Sequence, residues 1–439
     1  MRSALFANPL ITRVIKNSGY LFSATGITAG ISMLQGILAA RLLGVAGFGI
    51  LGTITMFTSV VNKFISFRMG ELVIKYVGQF SEAQDNQRAA AVFKVAAMAE
   101  IGASLIAFVL IWALSPLAAR YFAKDISLAH WFALYGLIVI ANLIAESSTG
   151  LLQIFDRFRR MAALSVVASL VTLVIIALVY IRQGSFGGIL AAYIVGKTIG
   201  AVGLTSAAIF EATRRWGKGW WNAPLGLLRP QARELTHFAV STNISASLSL
   251  INKDSELLWV SFLRNPLETG YYKLALALAN MAQMPVSPLP QATYPEISRE
   301  VARKNWSNVR YILRRGSLLA GGYTLAVLIG LLVFGKPLIQ YLYKPEYLPA
   351  FPALMILLAG FLVANTFYWN RIALLAVGQP DFPAKVNLVL AIIKVTGMLL
   401  LVPRFGFLAS AALLAGSYLL GVTVSVIKFR NSLSLKEAA

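Results

Sequence analysis

The chain contains no cysteine and only two histidines. Disulfides, thiolate metal sites, cysteine nucleophiles and cysteine lipidation are excluded, and so is a histidine-rich metal centre. Acid is scarce as well, with 17 Asp and Glu against 39 Lys and Arg, and only 13% of the 439 residues are charged. A soluble domain carries about 25% charged residues, because its surface faces water. No GxxxxGK[ST] stretch occurs, which excludes a P-loop nucleotide motor. The residues present in excess are apolar: 58% are hydrophobic and the mean hydropathy is +0.72. That balance describes a chain solvated by lipid.

Long apolar runs lie at approximately 19–40, 45–67, 90–113, 129–151, 162–181, 186–210, 235–252, 268–290, 316–334, 350–370, 384–402 and 405–427. A membrane-spanning helix takes about 20 such residues. The expected fold is therefore an all-α polytopic membrane protein with twelve transmembrane helices. The N-terminal segment is basic and no small-residue cleavage site follows the first run, so a retained helix is expected. With the N-terminus placed in the cytoplasm, 26 of the 39 basic residues fall on inside segments and nine outside. This is the positive-inside pattern. It puts both termini in the cytoplasm and accounts for the net charge of +22 as topology and contact with anionic phospholipids, with no nucleic-acid partner.

The longest inside loop, 211–234, contains RRWGKGWWNAPLGLLRP, a basic, Trp-rich stretch suited to lying on the cytoplasmic leaflet. It divides the chain into a lobe at 1–210, a linker and a lobe at 235–439. The two lobes look related. In helix 1, Thr25, Thr28, Ser32 and Gln35 follow i, i+3, i+7, i+10, and in helix 7, Thr242, Ser245, Ser249 and Asn252 repeat that spacing. Each set occupies one helical face. A glycine-aromatic step follows in both halves, GFGIL at 47–51 and GYYKL at 270–274. Six spans per half make the repeats parallel, and their midplane interface is the expected substrate site. Such a stripe also serves plain helix packing.

The segment ARLLGVAGFGILGTI at 40–54 resembles the signature that follows the first helix of polysaccharide flippases. NKDSELLWVSFLRNPLETGYYKLALAL and PVSPLPQATYPEIS resemble the matching second-half signature. The family is the Wzx-like polysaccharide transporters of the multidrug/oligosaccharidyl-lipid/polysaccharide exporter superfamily. The family's usual Gly-Pro-Glu-Gly loop reads Gly44, Val45, Ala46, Gly47 here, so its acid is missing. The resemblance implies two six-helix lobes forming a V around a basic central cavity. It also implies transport of an undecaprenyl-pyrophosphate-linked oligosaccharide from the inner to the outer leaflet of the bacterial inner membrane. Alternating access does this, often coupled to H⁺ or Na⁺ and with no cofactor. A monomer working beside a polysaccharide polymerase, for O-antigen or a similar surface glycan, is expected.

Moving a pyrophosphate and its sugars across about 30 Å of hydrocarbon needs buried cations and neutral polar groups. A charge at the bilayer centre costs at least about 2.5–3.5 kcal/mol, so residues kept there are candidates. Lys197 and Lys394 lie mid-span in helices 6 and 11 and are expected to hold the pyrophosphate, the alternative being pairing with Glu100 or Glu146. Arg41 is expected at the outer mouth, and Lys63 and Lys273 in the cavity wall. Each has an anchoring or snorkelling alternative. Lys253, Asp254 and Glu256 form a gate or an outer ion pair. Glu100 and Glu146 are candidates for a coupling proton.

Two other functions are weighed. A drug/cation antiporter of the same superfamily would need an acidic site, and helix 1 has no acid. A membrane glycosyltransferase or ligase would need acids or a histidine in a substantial outer loop, and the outer loops are short. The expectation is a transporter, not an enzyme.

Overall fold

A computed structural model describes residues 9–66, 68–240, 243, 255–379 and 381–438. Among the described residues the regular structure is helical throughout, with no strand. The first half holds α1 (Pro9–Ile65), α2 (Met69–Glu82), α3 (Asn86–Ala118), α4 (Ala129–Ala141), α5 (Ala145–Ile154), α6 (Phe158–Ile181) and α7 (Phe186–Trp216). Helix α8 runs over 232–240. The second half holds α9 (Glu256–Leu263), α10 (Pro266–Gln283), α11 (Leu289–Ala302), α12 (Trp306–Leu342), α13 (Ala350–Thr366), α14 (Asn370–Ala376), α15 (Asp381–Phe405) and α16 (Phe407–Ala438).

Nine helical segments among the described residues are long and apolar enough to cross a membrane. The first, Phe22–Ile65, contains both of the first two apolar runs. Gly44 separates them with φ 66°, a left-handed turn that a side chain would strain. The other eight coincide with runs 3–6 and 9–12. The seventh run lies mostly outside the described residues. The eighth is not one helix: it stops at Gln283 and restarts at Leu289, where Pro285, Pro288 and Pro290 remove backbone donors. Large apolar side chains stand exposed along the spans, among them Leu319 (75%) and Ile181 (73%). Surface of this kind is matched by hydrocarbon, not by water.

The chain groups into two compact units. The first comprises Met1–Leu43 and Ile54–Leu250, and the second Gly44–Thr53 and Ile251–Ala439. The stretch 44–53, which carries the first glycine-aromatic signature, thus belongs with the second half. The reason is steric. A Cβ at Gly49 would run into the backbone of Pro266 and Gly270, and one at Gly270 into the backbone of Val45. Only glycine allows this approach. The segment 211–234 packs on the first unit. Trp220, Ala223 and Leu228 are buried in the first unit's core beside Phe93 and Tyr76, and Lys94 donates to the Ala223 carbonyl.

The halves repeat one local design. Asp85 and Asn305 each cap the following helix by accepting from the N–H three residues on, Arg88 and Asn308. The break after α4, where the N–H groups of Asn142, Ala145 and Ser148 donate to Ile138, Asn142 and Ile144, recurs after α13. There Phe367, Asn370 and Ala373 donate to Val363, Phe367 and Trp369. Burial at Ala201, Ala208, Glu211 and Ala212 of α7 recurs at one constant spacing at Val422, Phe429, Ser432 and Leu433 of α16. The polar contact from Arg157 to Glu211 corresponds to that from Gln379 to Ser432.

Candidate functional site

The second unit contains a cavity of about 680 Å³. Two interrupted helices build it. Gln283, Val286 and Ser287 come from the break between α10 and α11, and Gln291 and Tyr294 from the start of α11. Tyr368, Asn370 and Arg371 come from the break between α13 and α14. Asn387 and Leu390 of α15 and Ser417, Tyr418 and Ser425 of α16 complete the wall. Broken helices are where transporter sites form, because irregular backbone within a membrane is tolerated only against protein or a cavity. Arg371 is the one charged side chain among the described residues of this lining.

The polar groups of the wall divide into two sets. Asn365 donates to Thr324, Asn370 to the Phe367 carbonyl, and Ser417 to the Leu413 carbonyl. These are committed to holding the helices. The side chains of Gln283, Gln291 and Arg371 have no hydrogen-bond or ion-pair partner among the described residues, and Gln291 and Arg371 are exposed. Sequence reasoning missed this site. Its signals were the proline cluster at 285–295 and the amides at 283, 291, 365, 370 and 387, which fall at the ends of apolar runs.

The described residues singled out from sequence fall elsewhere. Lys394 is buried, 3% exposed, and pairs with Glu256 at the start of α9, also buried. Its acid is thus neither Glu100 nor Glu146, and its ammonium is already neutralised. Glu256 correspondingly faces α15. Thr242, Ser245, Ser249, Asn252, Lys253 and Asp254 lie outside the described residues.

Glu100 is buried and accepts from the N–H groups of Glu146 and Ser147 at 2.8 and 2.9 Å and from the Ser147 hydroxyl at 2.6 Å. It caps the restart of the interrupted helix, where first-turn donors lack partners. Lys273 donates to the Phe48 carbonyl at 3.0 Å and lies 3.8 Å from the Phe48 ring centroid. Its stem fills the notch left by Gly52. Its geometry is that of a clamp, not of a cavity-lining cation.

The helix 1 stripe divides. Gln35 is buried and donates to the Ser169 carbonyl of α6 at 2.8 Å, within its own unit. The Thr28 hydroxyl donates to Ala24 and Thr25 carbonyls, while Thr25 and Ser32 are exposed. Arg41 is half-buried three residues before the Gly44 turn, and Lys63 is exposed in the last turn of α1.

Lys197 and Glu146 are both exposed in the first unit. At about 100° per residue, Lys197 shares a face with Leu190, Ala201, Ala208 and Glu211, all buried. The exposed apolar side chains Val195, Ile199, Val202 and Ile209 lie roughly 120–160° away. Lys197 therefore points away from the lipid-facing stripe of its helix. The repeat places it level with Tyr418, and it places Glu146, second residue of α5, level with Arg371, second residue of α14.

The fold is shared with solved transporters. It matches a multidrug resistance MATE-family transporter of the MOP superfamily, in its inward-facing conformation, at TM-score 0.74 and 14% identity. That match covers 94% of this chain and 96% of that one. It matches the lipid II flippase MurJ at TM-score 0.70 and 13% identity, over 93% and 87% of the two chains. The architecture is thus that of the MOP-superfamily transporters. In sequence, the inner membrane protein YghQ of Escherichia coli (strain K12) is 24% identical over 346 residues, 79% of this chain and 97% of that protein. Residues 14–301 match the model of the family described as polysaccharide biosynthesis protein. The chain belongs to that family, as the signatures at 40–54 and 252–298 led one to expect.

Proposed function

We propose that the protein is a flippase that moves an undecaprenyl-pyrophosphate-linked oligosaccharide from the cytoplasmic to the outer leaflet of a bacterial inner membrane by alternating access. The observation that carries this reading is the second-unit cavity. In a chain whose spans are mainly apolar, a space walled by the amides of Gln283 and Gln291, tyrosines and a guanidinium suits a hydroxyl-rich headgroup. Such a headgroup would otherwise enter hydrocarbon with its hydrogen bonds unmade. The lipid tail stays in the bilayer. Family membership and fold support the same reading. Lys197 adds a cationic side chain turned from the lipid face, available to the pyrophosphate, and Glu146 is the acid available for coupling to H⁺ or Na⁺. Both termini are assigned to the cytoplasm on the distribution of Lys and Arg, with anionic phospholipids around the basic ends. The product feeds a polysaccharide polymerase.

A cationic-drug antiporter shares the fold, but Arg371 and Lys197 repel its substrate. The deciding experiment reconstitutes the protein in vesicles with a fluorescent polyprenyl-pyrophosphate-linked oligosaccharide and follows access of an external glycosidase to the sugar. Protein-dependent access, reduced by Lys197→Ala, is expected. Wild-type vesicles that flip nothing yet exchange cationic dyes for protons would establish the antiporter instead.

A further inference from the structure

The second-unit cavity carries a charge pattern that narrows what it holds. Among the described residues its wall has one cation, Arg371, and no acid, with neutral donors and acceptors elsewhere. The side chains of Gln283, Gln291 and Arg371 are without partners among the described residues. A pyrophosphate brings more than one negative charge, and a second anion enclosed here would meet no further cation among the described lining residues. A buried charge without a partner is strongly disfavoured. A wholly neutral sugar leaves the opposite problem, because closing over it strips water from Arg371 and supplies no counter-ion. One acidic group satisfies both conditions. A carboxylate takes the guanidinium fork through two parallel hydrogen bonds, the strongest contact this wall offers. The ring hydroxyls then reach the two glutamine amides. The face of Tyr294, 38% exposed, is available to the apolar side of a pyranose. The repeat argues that the cation is particular to this site, since the level position in the first unit holds Glu146.

We propose that this cavity recognises a saccharide unit bearing a single acidic substituent, with Arg371 on the anion and Gln283 and Gln291 on the hydroxyls. The carrier pyrophosphate is bound elsewhere. This rests on the flippase reading for its biological meaning but is tested without transport. Purified full-length protein in detergent is titrated with glucuronate, glucose-1-phosphate, glucose and inorganic pyrophosphate, with binding followed by saturation-transfer NMR and by competition. Wild type is expected to prefer glucuronate to glucose by at least about tenfold, the size of a charged contact. Glucose-1-phosphate binding as well as glucuronate would also support a single-anion site. Arg371→Gln should abolish that preference, and Arg371→Lys should retain part of it. Gln283→Leu should weaken all three sugars alike. Equal binding of glucose and glucuronate to wild type would overturn the proposal. So would an unaltered preference in Arg371→Gln, or pyrophosphate displacing glucuronate more strongly than glucose-1-phosphate does. The vesicle flipping assay is run on the same preparations. Loss of the sugar preference in Arg371→Gln with wild-type flipping intact refutes neither reading, whereas absent wild-type flipping refutes the transporter alone.

Discussion

Lys394 and Glu256 form an ion pair inside the second unit, with side chains 4% and 1% exposed. Replacing Lys394 by Ala leaves a carboxylate in a site built for a pair. Breaking a buried pair from one side costs about 3–5 kcal/mol. For a unit of this size each kcal/mol moves Tm by about 2–4 °C, so a fall of roughly 6–20 °C is expected. Glu256→Ala should behave alike, because it strands the ammonium. The double variant Lys394→Met with Glu256→Leu removes both charges while keeping most of the volume. It should recover wild-type stability or exceed it by up to about 4 kcal/mol. The assay is thermal unfolding of the purified protein in detergent, read by monodispersity after heating, with flipping measured on the same samples. If Lys394→Ala melts like wild type yet flips nothing, the pair is not structural. Lys394 would then be the phosphate ligand that its mid-span position first suggested.

Other outcomes follow from the same geometry. Gly49→Ala and Gly270→Ala should each destabilise by about 1–3 kcal/mol or more, since the new methyl meets backbone. Gly52→Ala should cost less, because its Cβ meets the movable Lys273 stem at 2.6 Å; equal melting of all three would refute the packing argument. Tyr76 donates to Glu234 at 2.8 Å and Lys75 at 3.3 Å, and these contacts hold the Glu234 carboxyl below the usual range. The α2–α8 contact is therefore fully present above the unfolded-state value near 4.3 and lost as pH falls through the lower folded value. Glu234→Gln should flatten that acid-side loss in amide exchange of α2; an unchanged pH profile would exclude the linkage. Cysteines placed at Ser185 and Gln231 should label from outside and only after permeabilisation, respectively. The reverse pattern would overturn the assigned orientation.

Much was legible in the sequence because it depends on local properties. Hydropathy over about 20 residues marks a span wherever it packs, and eight runs overlie helical segments, those at 129–151 and 350–370 each interrupted once. The repeat was visible in GFGIL and GYYKL and reappears in caps, breaks and burial. Prolines 285, 288 and 290 announced the broken eighth run, although the run was read as continuous.

Tertiary structure alone decided what the polar side chains do. Lys394 and Lys197 looked alike as mid-span lysines. One meets an acid distant in sequence, and the other stands exposed opposite its helix's apolar face. Glu100 was a candidate for a coupling proton, and the fold also makes it a cap for a helix that restarts 45 residues later in the chain, at Ala145. Arg371 drew no reading of its own from the sequence and stands in the wall of a cavity. Hydropathy is a sum over neighbours along the chain, so sequence determines it. The fate of a buried charge depends on which groups the fold brings within hydrogen-bond reach, and those come from distant segments. Hence the sequence determined where the membrane is crossed, and the tertiary structure decided which polar groups are consumed in holding the helices and which remain for a ligand.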